Sequence, residues 1–136
     1  MSDHQLLQWS EHFNLSGHQL INAQHHQLFG LVNQLYDLIH RGGDIESIIS
    51  ITRVLLQQTE GHFAEEETLF YRLPRDEQTL HLLHHKHYLE ALSAFLERLN
   101  SGVDMSVESI TDQLRSLADW YQSHVLHSDS KLVTNC

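Results

Sequence analysis

The residues best equipped for chemistry in this chain are its histidines. Among 13 of them, His25 stands apart, His62 is followed four residues later by Glu66, His81 by His85, and His124 by His127 and Asp129. Residues four apart on a helix share a face and differ by about 6 Å along its axis, so each such pair can aim two donors at one place. Imidazole nitrogen suits iron, copper, nickel and zinc, and a carboxylate can bridge two ions. Donors of both kinds spread over four segments point to a pair of transition metals held inside a helical bundle. One pair alone would carry little weight, because a helical histidine beside an apolar face is more often a structural residue. The ordered set is what matters.

The segments between the donors read as long helices. Pro74 is the only proline, and the glycines fall at Gly17, Gly30, Gly42, Gly43, Gly61 and Gly102, leaving long stretches without strong breakers. Leu20, Ile21, Leu28, Leu31, Val32, Leu35 and Leu38 recur at three- and four-residue steps and predict a helix over 18–41. Arg41-Gly42-Gly43 ends it, and Asp44 suits the N-cap of a second helix over 44–71. Ile45, Ile48, Ile49, Val54, Leu55, His62, Phe63, Leu69 and Phe70 mark the inner side of that helix. After the break at Pro74 a third helix is expected over 76–100. Ser106 suits the cap of a fourth over 106–127, with Val107, Ile110, Leu114, Leu117, Trp120, Tyr121, His124 and Val125 at helical spacing. The expected fold is a single all-α domain over 1–136, an antiparallel up-down-up-down four-helix bundle. Residues 1–16 bring Trp9, Phe13 and Leu15 and are expected to lie against it as an N-terminal arm.

Charge and composition narrow the partners. With 8 Lys and Arg against 18 Asp and Glu, the formal net charge of -10 repels phosphate backbones and anionic lipid, so neither nucleic acid nor a membrane surface is an expected partner. The one cysteine, Cys136, offers no internal disulfide and little prospect of thiolate ligation. Met1 to Ser10 lacks a basic stretch followed by an apolar run, and no uninterrupted apolar segment of about 18 residues occurs. A cytoplasmic location is the expectation. No Glu-x-x-His motif occurs, which counts against a ferritin-like diiron site, and no His-Glu-x-x-His, which counts against a zinc protease.

Spacing alone leaves several ligands open. Glu65 and Glu67 compete with Glu66 beside His62, and His84 with His87 forms an i,i+3 pair of its own. His127 follows His124 by three residues, better helical geometry than Asp129, which follows by five and is rotated by roughly 140° on a regular helix.

The order His25, His62-Phe63-Ala64-Glu65-Glu66-Glu67, His81 to His85, then Trp120 to His124 to Asp129 resembles the hemerythrin family in its bacterial branch. The likeness runs from Trp9 and Gln24-His25 through Leu132. It implies a non-heme diiron centre in a four-helix bundle that binds dioxygen reversibly. By that resemblance His81, His85 and His124 hold one iron, His25 and His62 hold the other, and Glu66 and Asp129 bridge them. A bridging hydroxide would complete six donors on the first iron and five on the second, leaving one position for dioxygen.

Trp9, Phe63, Tyr88 and Trp120 stand where the family places aromatics around its centre, although core packing accounts for them equally well. Tyr121 departs from the leucine common at its position. Turned inward, its hydroxyl makes the pocket more polar and the oxidised state easier to reach; turned outward, it does neither. Asn22-Ala23 stands where relatives usually carry an acidic residue, which puts only a supporting contact or a capping role in question.

The expected function is dioxygen binding, for carriage or storage or as the oxygen- or redox-sensing input domain of a bacterial chemoreceptor or diguanylate cyclase. No catalysis on an organic substrate is expected. Rival readings are a diiron oxidoreductase acting on peroxide or nitric oxide, and a metal-free bundle with incidental histidines.

Overall fold

A computed structural model describes residues 19–102 and 106–124. They form α1 (Gln19–His40), α2 (Ile45–Glu67), α3 (Arg75–Ser101) and α4 (Val107–His124), with no strand among the described residues. α1 packs on α2 and α4, and α3 packs on the same two, which closes a ring of four. Short connections reverse the chain at each step, the arrangement of an up-down-up-down bundle. No helix of the described residues is long and apolar enough to cross a membrane. The expected arm with Trp9, and the residues over which the last helix is expected to run on to 127, lie outside the described residues.

Local chemistry sets the helix ends. Asp44 is extended (φ -72°, ψ 155°), and its Oδ1 accepts the Ser47 N–H at 3.2 Å. Those hydrogen bonds with Ser47 hold its carboxyl below the ordinary value. Ser106 does the same for α4, its Oγ accepting the Ser109 N–H at 3.2 Å. α3 closes on Gly102, whose left-handed φ of 74° lets its N–H reach the Arg98 carbonyl at 3.1 Å.

α2 ends at Glu67, short of the expected residue 71. The Thr68 hydroxyl donates back to the Glu65 carbonyl at 2.6 Å, and the chain tightens into a 3-10 turn at Phe70–Arg72. That turn carries Phe70 inward, where its ring lies 4.9 Å from that of His81.

The buried positions share one rhythm. Ile21, His25, Leu28, Val32, Leu35 and Ile39 line α1, and Ile48, Thr52, Leu55, Thr59, His62 and Glu66 line α2. His81, His85, Tyr88, Leu92, Phe95 and Leu99 line α3, and Ile110, Leu114, Leu117, Tyr121 and His124 line α4. In every helix the steps alternate four and three, the 3.5-residue repeat that keeps a seam facing its neighbours in a left-handed bundle.

Leu20 and Val54, expected inward, fall beside that seam and are exposed. Ile45 and Val107 are in phase but occupy the first turn of their helices, and they are exposed too. Two polar residues that α2 brings into the apolar part, Thr52 and Thr59, satisfy their hydroxyls within the helix, on the carbonyls of Ile48 (2.8 Å) and Leu55 (2.7 Å). Leu92 has no exposed surface. Leu92→Ala is expected to cost about 2–5 kcal/mol, read from the urea midpoint, and a cost well under 1 kcal/mol would contradict this packing.

Candidate metal centre

Toward one end of the seam the apolar residues give way to His25, His62, Glu66, His81, His85 and His124, each no more than 4 % exposed. Glu66 organises them. Its Oε2 lies 2.7 Å from His62 Nε2 and 3.2 Å from His25 Nε2. Its Oε1 faces the other three, at 2.9 Å from His85 Nε2, 3.6 Å from His81 Nε2 and 3.9 Å from His124 Nε2. Two donor groups result, Glu66 with His81, His85 and His124, and Glu66 with His25 and His62, the donor atoms of each lying within 4.8 Å of one another.

Hydrogen bonds on the outer side fix two of the rings. His62 Nδ1 donates to Gln24 Oε1 at 2.7 Å, and His85 Nδ1 donates to Glu67 Oε2 at 3.1 Å. A neutral imidazole that donates from Nδ1 presents a lone pair at Nε2. On both residues that lone pair faces a carboxylate oxygen of Glu66. Among the described residues, neither His62 Nε2 nor Glu66 Oε1 makes a well-formed hydrogen bond. On the three-histidine side the His124 Nε2 is 3.1 Å from that of His81 and 3.2 Å from that of His85. One proton cannot serve three converging nitrogens, whereas a cation accepts them all. The donor set fits a metal on each side of Glu66.

Electrostatics agree with a bridging role. Burial would raise the Glu66 carboxyl, but the imidazoles gathered on it, His62 foremost, outweigh burial and hold the group well below its ordinary value. The carboxylate is therefore ionised at neutral pH, as a ligand must be.

Aromatic rings pack around the donors. Phe63 stacks on His85 with centroids 3.7 Å apart, and Trp120 stacks on His124 at 4.8 Å. Trp120 also stacks on Tyr88, at 4.8 Å, and burial raises the Tyr88 hydroxyl well above its ordinary pKa, which keeps it protonated. Tyr121 turns inward: it is 1 % exposed, its ring 6.2 Å from His25, 5.8 Å from Phe29 and 5.7 Å from Tyr88.

The expected ligand Asp129, its competitor His127 and the expected pocket aromatic Trp9 lie outside the described residues. His26 and His87 are exposed. His84 is half-buried with its ring 6.2 Å from that of His124, and burial followed by the neighbouring imidazoles holds its pKa below the ordinary value.

Glu67, which competes with Glu66 by spacing, lies outside both donor groups. Its side chain is 37 % exposed, yet it accepts from His85. Gln24, which the family likeness includes only as the neighbour of His25, accepts from His62. Both flank the seam by one residue, positions from which a side chain reaches across to the next helix, and that phase is the only signal that marks them.

A bundle with five buried imidazoles gathered on one carboxylate is a metal-binding bundle in class. The family model described as the hemerythrin HHE cation binding domain matches residues 16–136, and the chain belongs to that family. It is similar to the bacteriohemerythrins of Pseudomonas aeruginosa strains LESB58 and UCBPP-PA14, 28 % identical over 132 residues that cover 93 % of this chain and 79 % of each relative. The bacteriohemerythrin of Pseudomonas paraeruginosa strain DSM 24068 / PA7 is similar to the same extent.

Proposed function

We propose that this protein binds dioxygen reversibly at a non-heme diiron centre, and that it serves as an oxygen- or redox-sensing module rather than a carrier. The observation that carries the reading is the division of Glu66, one oxygen toward two histidines and the other toward three. Family membership supports iron as the metal. When bound, an iron pair supplies the two electrons that reversible dioxygen binding requires.

The chain's own residues divide the work. His81, His85 and His124 would hold one iron and His25 and His62 the other, with Glu66 shared between them and Asp129 expected from the family resemblance to be shared as well. The two-histidine side has one imidazole fewer, and an iron held there would have a position left for dioxygen. Phe63, Phe70 and Trp120 pack against the rings and limit water around them. Tyr121 brings a hydroxyl-bearing ring to the same side as His25. It favours sensing, since a proton donor there makes oxidation easier, which suits a module that reports oxygen and works against repeated carriage. A cytoplasmic setting, with a signalling domain as the downstream partner and no chemistry on an organic substrate, belongs to this reading.

The test is anaerobic loading with ferrous iron, exposure to air and evacuation, with iron and the visible spectrum recorded. About two irons per chain and a visible band that appears in air and fades under vacuum are expected. Direct passage to a stable oxidised spectrum, with catalytic consumption of peroxide or nitric oxide, would replace this reading with a diiron oxidoreductase.

A further inference from the structure

We infer that Glu67 and Gln24 act as a pair of positioning residues that make the two irons electronically unequal, so that the three-histidine iron gives up its electron first. The inference rests on the diiron reading above. Its observation is separate: the outer nitrogens of His85 and His62 donate to acceptors of different charge, the Glu67 carboxylate at 3.1 Å and the Gln24 amide oxygen at 2.7 Å.

A carboxylate that accepts from Nδ1–H draws the proton toward itself and leaves the imidazole richer in electrons at Nε2. The ligand becomes more basic and favours the ferric ion over the ferrous. A neutral amide fixes the same tautomer and ring angle with much less transfer of charge. His85 belongs to the three-histidine group and His62 to the two-histidine group. The anionic partner thus sits behind the iron with the fuller donor set, and the neutral partner behind the iron that receives dioxygen. That arrangement keeps the receiving iron ferrous until a ligand arrives.

Placement at the surface fits a tuning role. Glu67 and His85 line a groove along α3 that also contains Lys86, Glu90 and Glu97, so its charge is net negative. Gln24 and His62 line a separate groove with Gln27, Gln58 and Gly61, which has no charged lining residue. Each partner can therefore be changed without entering the apolar core. Glu67 is partly solvated, and water screening limits its effect to about a tenfold change in the ferric-to-ferrous preference, which for one electron is about 59 mV.

The experiment is a redox titration of the iron-loaded protein that resolves its two one-electron steps, followed by Mössbauer and electron paramagnetic resonance spectra, with iron counted on every sample. Glu67→Gln keeps an acceptor for His85 and removes the charge; it is expected to raise the lower potential by up to about 59 mV. Gln24→Glu adds a charge behind the other iron and is expected to lower the upper potential. The separation between steps contracts in both variants, and Glu67→Asp retains most of the wild-type separation. Loss of one iron from Glu67→Gln with retention in Glu67→Asp supports the same assignment.

An unchanged separation in either variant, or a Glu67→Asp protein that behaves like Glu67→Gln, overturns the inference while the diiron reading stands. A wild-type protein that holds fewer than two irons overturns both.

Discussion

Glu66→Ala is expected to take the protein from about two irons per chain to less than one, the largest effect of any single substitution at the centre. The reason is geometric. Its Oε2 serves His25 and His62, and its Oε1 serves His81, His85 and His124, so one truncation removes a donor from both groups. His62→Ala is the comparison, because it removes a donor from the two-histidine group alone and is expected to leave about one iron on the other side.

Stability gives an independent readout. A ligand that binds the folded chain stabilises it by about 2.7 kcal/mol at a hundred times its dissociation constant. Iron should therefore raise the unfolding temperature of the wild type, raise that of His62→Ala less, and leave Glu66→Ala nearly unmoved. Two tightly bound irons in Glu66→Ala would contradict the shared role.

The bundle is readable in the sequence because breakers are sparse and apolar residues recur at helical steps. Where the reading slips, local physics explains it. Leu69 and Phe70 continue the apolar pattern past the end of α2, and periodicity cannot distinguish an α-helix from the 3-10 turn that replaces it at Phe70–Arg72. Val54 is apolar but out of phase with the seam, and it is exposed.

The same phase bears on several ligands that spacing left open. Counting four and three from Ile48 through Thr52, Leu55 and Thr59 reaches His62 and Glu66, and passes over Glu65 and Glu67. Counting back from Leu99 through Phe95, Leu92 and Tyr88 reaches His85 and His81, and passes over His84 and His87. Beyond His124 the next seam position is Ser128, so phase selects neither His127 nor Asp129. The bonds from His62 to Gln24 and from His85 to Glu67 span 38 and 18 residues between helices. They depend on the rotation of one helix against another, which no pattern within a single helix records.

Tyr121→Phe is expected to slow oxidation of the air-exposed, iron-loaded protein by about tenfold, measured as the decay of the oxygenated spectrum. The substitution keeps the ring against Phe29 and Tyr88 and removes only the hydroxyl. A proton donor near an open iron position favours the departure of oxygen in reduced form over its return as dioxygen. A hydrogen bond to a charged group contributes about 1.5–3 kcal/mol, and about 1.4 kcal/mol in a barrier is a factor of ten in rate. Tyr121→Leu separates this from packing, because it removes the hydroxyl and also leaves space beside Phe29. Equal slowing in both variants assigns the effect to the hydroxyl. A change in Tyr121→Leu alone assigns it to the ring, and with it goes the argument that this chain senses oxygen rather than carries it.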